Sequence, residues 1–331
     1  MLTGLIVACI AANPCEPEQA LAAKPVAAAE QAVEQAVDYL AREVPRWRPE
    51  NKCASCHNNG DAARALFLAS SVGHELKPAV LSNTLEWLTN PDRWDDNGGE
   101  GPFNDRQLAD IQFGYALASA IEGGLVKERE LLRAAAQRIA GHQRADGSWQ
   151  VVPEGTLGAP ATYGTVLATA LSQATLTDAR SAEFDSAVAR ATDWLDRQRP
   201  KTVLDAAALL AAPRYRVEDE QRTACLEVLK AGAGSMGGWG PYVISPPEPF
   251  DTALALIGLA RLKASARETG RDWTEFDDQI RRGREYLVTS QLSDGSWPET
   301  TRPPGAESYA QRMSTTGWAT MALLLTAPPP K

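Results

Sequence analysis

Six short apolar segments of similar texture recur along the chain at a period of ~50 residues. They are DAARALFLASS from Asp61, DIQFGYALASA from Asp110, YGTVLATALSQA from Tyr163, DAAALLAAP from Asp205, DTALALIGLARL from Asp251 and STTGWATMALLL from Ser314. Each is long enough for about three helical turns, and each has Asp, Ser or Thr at or near its start, which reads as an N-cap. Asp61, Asp110, Asp205 and Asp251 are therefore expected to cap helices. A more charged amphipathic pattern precedes each segment, such as AVEQAVDYLAREV, LLRAAAQRIAGHQ or IRRGREYLVTSQ. The order helix, loop, helix, six times over, hides its apolar faces only by stacking hairpin on hairpin. Six hairpins can form an arc or close into a ring. The almost uncharged second helix of each pair suits a crowded inner wall, and the charged first helix suits the outside. With 44% hydrophobic residues and only 7% aromatics, the chain favours an all-α fold with a sizeable core. Its 331 residues would suggest two domains by length alone, but the repeat makes residues 30–331 one domain.

Two loops between first and second helices are nearly identical. One runs from Gln143 through Gly147 to Trp149, the other from Gln291 through Gly295 to Trp297, both as Q-x-x-D-G-S-W. Weaker copies occur at Trp87 and Trp94, at Trp194 with Gln198, and at Gly238-Trp239. This pattern resembles the repeat motif of squalene–hopene cyclases and the related protein prenyltransferases. The resemblance implies an α/α toroid of about six helical hairpins. It also implies that these Gln, Gly and Trp residues are structural, the amide serving helix ends and the indole covering it. Cyclases of the resembled type protonate an alkene with an Asp-x-Asp-Asp motif, which this chain lacks, and the hopene type uses two helical domains. The prenyltransferase zinc site is not recognisable around Cys225, which reads as a core thiol. The chain is therefore not expected to be a competent triterpene cyclase.

One string carries distinct chemistry. Cys53-Ala54-Ser55-Cys56-His57 is C-x-x-C-H, the pattern by which two thiols attach a c-type haem and the next histidine ligates its iron. The reading places both thiols on one helical turn at the entrance to the first inner helix. His74, Met236 and Met313 are candidate distal ligands. A zinc site or a redox dithiol is the alternative. Secreted proteins with cyclase-like repeats and this string in their first hairpin resemble the present chain.

The loop NPDRWDDNGGEGPFND offers Asp92, Asp95, Asp96, Glu100 and Asp105 as acids at the ring mouth, for proton transfer or cation binding. Glu154, Glu299, Arg302, Glu307 and Tyr309, in the long loops after Trp149 and Trp297, are further candidates to line a substrate site.

Residues 1–29 read as a signal peptide and an Ala/Pro-rich leader. Ala20-Leu21-Ala22 fits a cleavage site, and Ile6-Val7-Ala8-Cys9 fits a lipoprotein pattern with an anchor at Cys9. No Lys or Arg precedes Lys24, which is atypical of such a signal. A formal charge of −9 argues against a nucleic-acid partner. No apolar run reaches the ~20 residues of a membrane span. Together these features point to a periplasmic or secreted haem c protein for electron transfer or redox sensing, with a redox partner or a small isoprenoid-like ligand. The alternatives are a haem-free terpenoid-cyclase-like or carbohydrate-active enzyme, and a non-catalytic binding scaffold.

Overall fold

The computed structural model describes residues 16–96, 106–265, 270, 272–300, 302 and 308–328, with side chains from residue 27 onward. These residues form six helical hairpins and no strand. The outer helices are α1 (Glu16–Asn51), α3 (Ser82–Leu88), α5 (Leu131–Gly141), α7 (Asp185–Asp196), α9 (Asp219–Gly232) and α11 (Asp277–Ser290). The inner helices are α2 (Ala63–Ser71), α4 (Arg106–Glu122), α6 (Thr165–Asp178), α8 (Val203–Ala211), α10 (Pro249–Ala264) and α12 (Tyr309–Leu325). A π-helical segment, Cys56–Ala62, leads into α2. Cys9 and the rest of residues 1–15 lie outside the described residues. Helix α1 runs without a break across Ala20–Ala22 and residue 30.

The two helix classes differ as their sequences require. Outer α5 buries Leu132, Ala135, Ala136 and Ile139, a single stripe at i, i+3, i+4 and i+7. Inner α6 buries every residue from Val166 to Leu176, so it has no solvent face. Small residues permit this crowding. On α12, a Cβ added at Gly317 would lie 2.7 Å from the Asp61 carbonyl oxygen.

The Gly-Trp loops connect the outer helix of a hairpin to its inner helix. Trp149, Trp239 and Trp297 are fully buried. Their indole N–H groups donate to the carbonyls of Ile139, Leu229 and Leu287, at 2.7–2.8 Å. Their backbone N–H groups donate to Thr169, Thr252 and Thr316 on the following inner helices. Gly238-Trp239 is thus a full structural copy, although it lacks the glutamine. Trp94 turns its indole to the Trp87 carbonyl instead. The fourth hairpin has no such tryptophan loop: Gln198 donates to Trp194 of its own helix, and Gln221 covers the helix end.

Each loop rests on the next outer helix. Gln143 donates to the Ala187 carbonyl of α7 at 2.8 Å. Gln291, in the last hairpin, donates to the Ala32 carbonyl of α1 at 2.9 Å. The sixth hairpin therefore docks on the first, and the stack closes into a ring. Tyr309 strengthens the seam, stacking on Trp47 at 5.6 Å and donating to Glu43. Inner helices of neighbouring hairpins also meet through one cation. Arg64 lies over the rings of Tyr115 and Trp318, 4.4 and 5.0 Å from their centroids.

Candidate functional site

The C-x-x-C-H string sits where outer α1 crosses into the first inner helix. Its local shape departs from the expected helical turn. Ser55 is extended (φ −132°, ψ 133°), so Cys53 precedes the helical segment and Cys56 begins it. The two thiols are not on one turn. Asn58 and Asn59 enforce this geometry. Asn59 accepts the Ser55 N–H at 2.9 Å and donates to Thr84 at 2.8 Å, while Asn58 donates to the Val44 carbonyl at 3.1 Å. Sequence reasoning missed both. The asparagine pair after the histidine, at a helix entrance, was the available signal. Cys53 and Cys56 are partly exposed, and no disulfide joins them. His57 has its Nδ1 buried with no hydrogen-bond partner. Burial holds the imidazole below its ordinary pKa, against the opposing pull of Asp61. Among the described residues no group of three or more His, Cys, Asp or Glu side chains is gathered to hold a metal ion.

The inner-helix acids are not N-caps. Thr202 caps α8, accepting the Asp205 N–H at 2.9 Å, and Asp205 accepts from the Thr202 backbone in return, the reciprocal pattern of a capping box. Asp251 is the third residue of α10 and Asp110 the fifth of α4. Asp61 lies inside the π-helix. A cap must stand outside the helix, whereas these carboxyls are set within it and turned into buried networks.

Asp61 is the hub of the largest network. It is fully buried and accepts from Arg64 (3.3 Å), Gln112 (3.0 Å), Tyr163 and Ser314. Tyr163 reaches it from a left-handed backbone conformation (φ 58°), a strained state for a residue with a large side chain. The Tyr163 ring meets Trp318 edge-on at 5.9 Å, and Trp318 meets Phe250 at 5.6 Å. Strain, a π-helical segment and a buried carboxylate thus coincide at one place, one turn beyond His57.

Asp110 accepts from Arg138 at 3.0 Å and pairs with His142 at 2.9 Å. Arg138 also grips Asp95 through two hydrogen bonds of 3.0 Å, which hold that carboxyl below its ordinary range. Asp92 and Asp96 are exposed. Asp95 is thus engaged by Arg138, and by Arg106 at 3.2 Å. Glu100, Asp105 and Glu307 lie outside the described residues. At the ring mouth Arg302 bridges Glu248 (3.1 Å) and Asp251. Burial pushes Asp251 up to about 7 despite Arg302, and its Oδ1 has no partner. Glu299 is taken by Arg312, and Tyr309 by Glu43.

Of the candidate distal ligands, His74 lies beyond the far end of α2 from His57, about 20 Å of helix away. Met236 is 84% exposed, on a loop resting against α11. Met313 is fully buried on α12, a helix that packs against the π-helical segment. Cys225 is a core thiol whose pKa is pushed up to about 12 by burial.

No protein-family model matches the chain, and no curated protein matches it. Solved structures do. The type II terpene cyclase MstE from Scytonema, solved with geranylgeranyl dihydroxybenzoate as substrate, matches with a TM-score of 0.57 and 14% identity. The match covers 92% of this chain and 99% of that one. A protein from Actinoplanes matches with a TM-score of 0.56 and 17% identity, over 91% of this chain and 100% of that one. A glycosyl hydrolase of family 88 from Bacteroides vulgatus matches with a TM-score of 0.51 and 13% identity, over 89% and 98%. What these likenesses establish is the α/α toroid.

Proposed function

We propose that this chain is an exported α/α toroid carrying haem c, with Cys53 and Cys56 as the attachment thiols and His57 as the proximal iron ligand, and that it passes single electrons to a partner redox protein. The observation that carries this reading is His57. Its Nδ1 is buried and unpartnered beside two part-exposed thiols that form no disulfide. A buried imidazole with no hydrogen bond is costly, and one that belongs to a ligand set has a reason to be there. When bound, haem supplies one-electron exchange at its iron. The chain's own residues hold the site: Asn58 and Asn59 pin the turn, and Asp61 anchors the segment that bears His57. Partial exposure of the thiols leaves one side of the turn open to a partner.

The test is a pyridine haemochrome spectrum of protein exported from a host with cytochrome c maturation. A c-type α-band that disappears in the Cys53→Ala/Cys56→Ala variant is the expected result. Absence of any band, with maturation shown to be active on a control cytochrome, overturns the reading.

A second reading is favoured by Asp251, a buried acid with an unpartnered oxygen at the ring mouth. In it the toroid is a haem-free acid–base enzyme. Haem content separates the two readings directly.

A further inference from the structure

A cavity of about 610 Å3 opens between the third and fourth hairpins and has no part in the haem reading. Its floor is formed by the first turns of α6 and α8, and one wall by the loop from Pro153 to Gly158. Arg144, Arg199 and Lys201 line it together with Asp146, Glu154 and Asp205, so its formal charges balance. Two of the acids are occupied by local structure. Asp146 accepts from the backbone and hydroxyl of Ser148, and Asp205 completes the capping box. Arg199 donates to the Asp196 and Gln198 carbonyls, so the charged groups left are Arg144, Lys201 and Glu154, and neutral groups stand beside them. Gln150, Thr165 and Tyr242 line the cavity, and their side chains make no hydrogen bond among the described residues. The aromatic residues Tyr163, Trp194 and Tyr242 also belong to the lining.

This combination excludes more than it admits. An anion site needs an excess of cationic donors, which the balanced charges deny. An apolar chain needs a lining without uncommitted amides and hydroxyls. Aromatic faces beside unspent neutral donors and acceptors suit a ligand that carries many hydroxyls and flat C–H faces. We propose that the cavity is a binding site for a short neutral oligosaccharide, packed against Trp194 and Tyr242 and hydrogen-bonded by Gln150 and Thr165. The site is independent of the haem.

Isothermal titration of the full chain with maltotriose, cellotriose and tri-N-acetylchitotriose, alongside trigalacturonate, tests it. The expected result is a saturable isotherm for at least one neutral trisaccharide, weakened about tenfold or more by Trp194→Ala and by Tyr242→Ala. Trp194 is part-buried, so Tyr242→Ala and Gln150→Ala carry the test if that variant loses its fold. No saturable heat from any neutral sugar overturns the proposal. So does tighter binding of trigalacturonate, and so does affinity unchanged in the folded variants.

Discussion

Asp61 draws on side chains from three hairpins besides its own, through Gln112, Tyr163 and Ser314. Removing it strands several buried donors at once. Asp61→Ala is expected to cost about 3–5 kcal/mol, and Tyr163→Phe only about 1–2, since the phenylalanine keeps the ring packing. Urea denaturation of both variants checks this, and a near-neutral Asp61→Ala would contradict the hub. Asp251 gives a pH dependence. Its carboxyl sits at about 7 when folded, against an ordinary 3.8. The folded state then holds the proton more tightly, so this contribution to stability is full below about pH 4 and is lost as pH rises through about 7. The difference between wild type and Asp251→Asn, followed by denaturation from pH 4 to 8, isolates the Asp251 slope. Parallel curves would refute it. These acids were visible in the repeat, but their role was misread. Sequence spacing finds the turn of a helix that bears a carboxyl and does not say whether the carboxyl stands outside the helix or within it.

The Gly-Trp loop is the repeating joint, and it makes two demands on its glycine. Gly295 has φ +93°, and a Cβ there would lie 2.3 Å from the Gln35 backbone oxygen of α1. Gly124 has φ +74° with nothing within 4 Å. Gly124→Ala is expected to cost about 1 kcal/mol, from backbone strain alone. Gly295→Ala must also push the loop off α1 and should cost roughly 3 kcal/mol or more. Equal melting shifts in the two variants would show that the close approach to α1 is unimportant. Trp297→Ala, which empties a fully buried indole site, should cost about 3–5 kcal/mol. Most of this joint was legible, because Gln, Gly and Trp recur with the same spacing. The copy at Trp239 was under-read because its glutamine is missing, yet its indole bond is the same as in the other two.

Closure changes how the whole molecule should unfold. An open stack of hairpins frays from its ends, one repeat at a time. Here the last hairpin bonds to the first through Gln291 and Tyr309, so no hairpin is terminal. One cooperative transition is expected, with helix content and tryptophan fluorescence falling together. Gln291→Ala should lower stability by about 1–2 kcal/mol through the lost contact to Ala32. Separated transitions in the wild type would mean that the seam does not hold the ring shut.

The sequence by itself determined the helical hairpins, their number and their inner and outer faces, because these follow from periodicity and local composition. It also singled out the C-x-x-C-H string, whose spacing is a local property. Tertiary structure decided what depends on which hairpins meet. It closed the ring through a glutamine and a helix 259 residues apart. It set Arg64 over aromatic rings contributed by two other hairpins. It made Asp61 a hub for partners 51, 102 and 253 residues away. Contacts at such separations leave no trace in local pattern, since each partner is an ordinary residue until the ring brings it to the carboxylate.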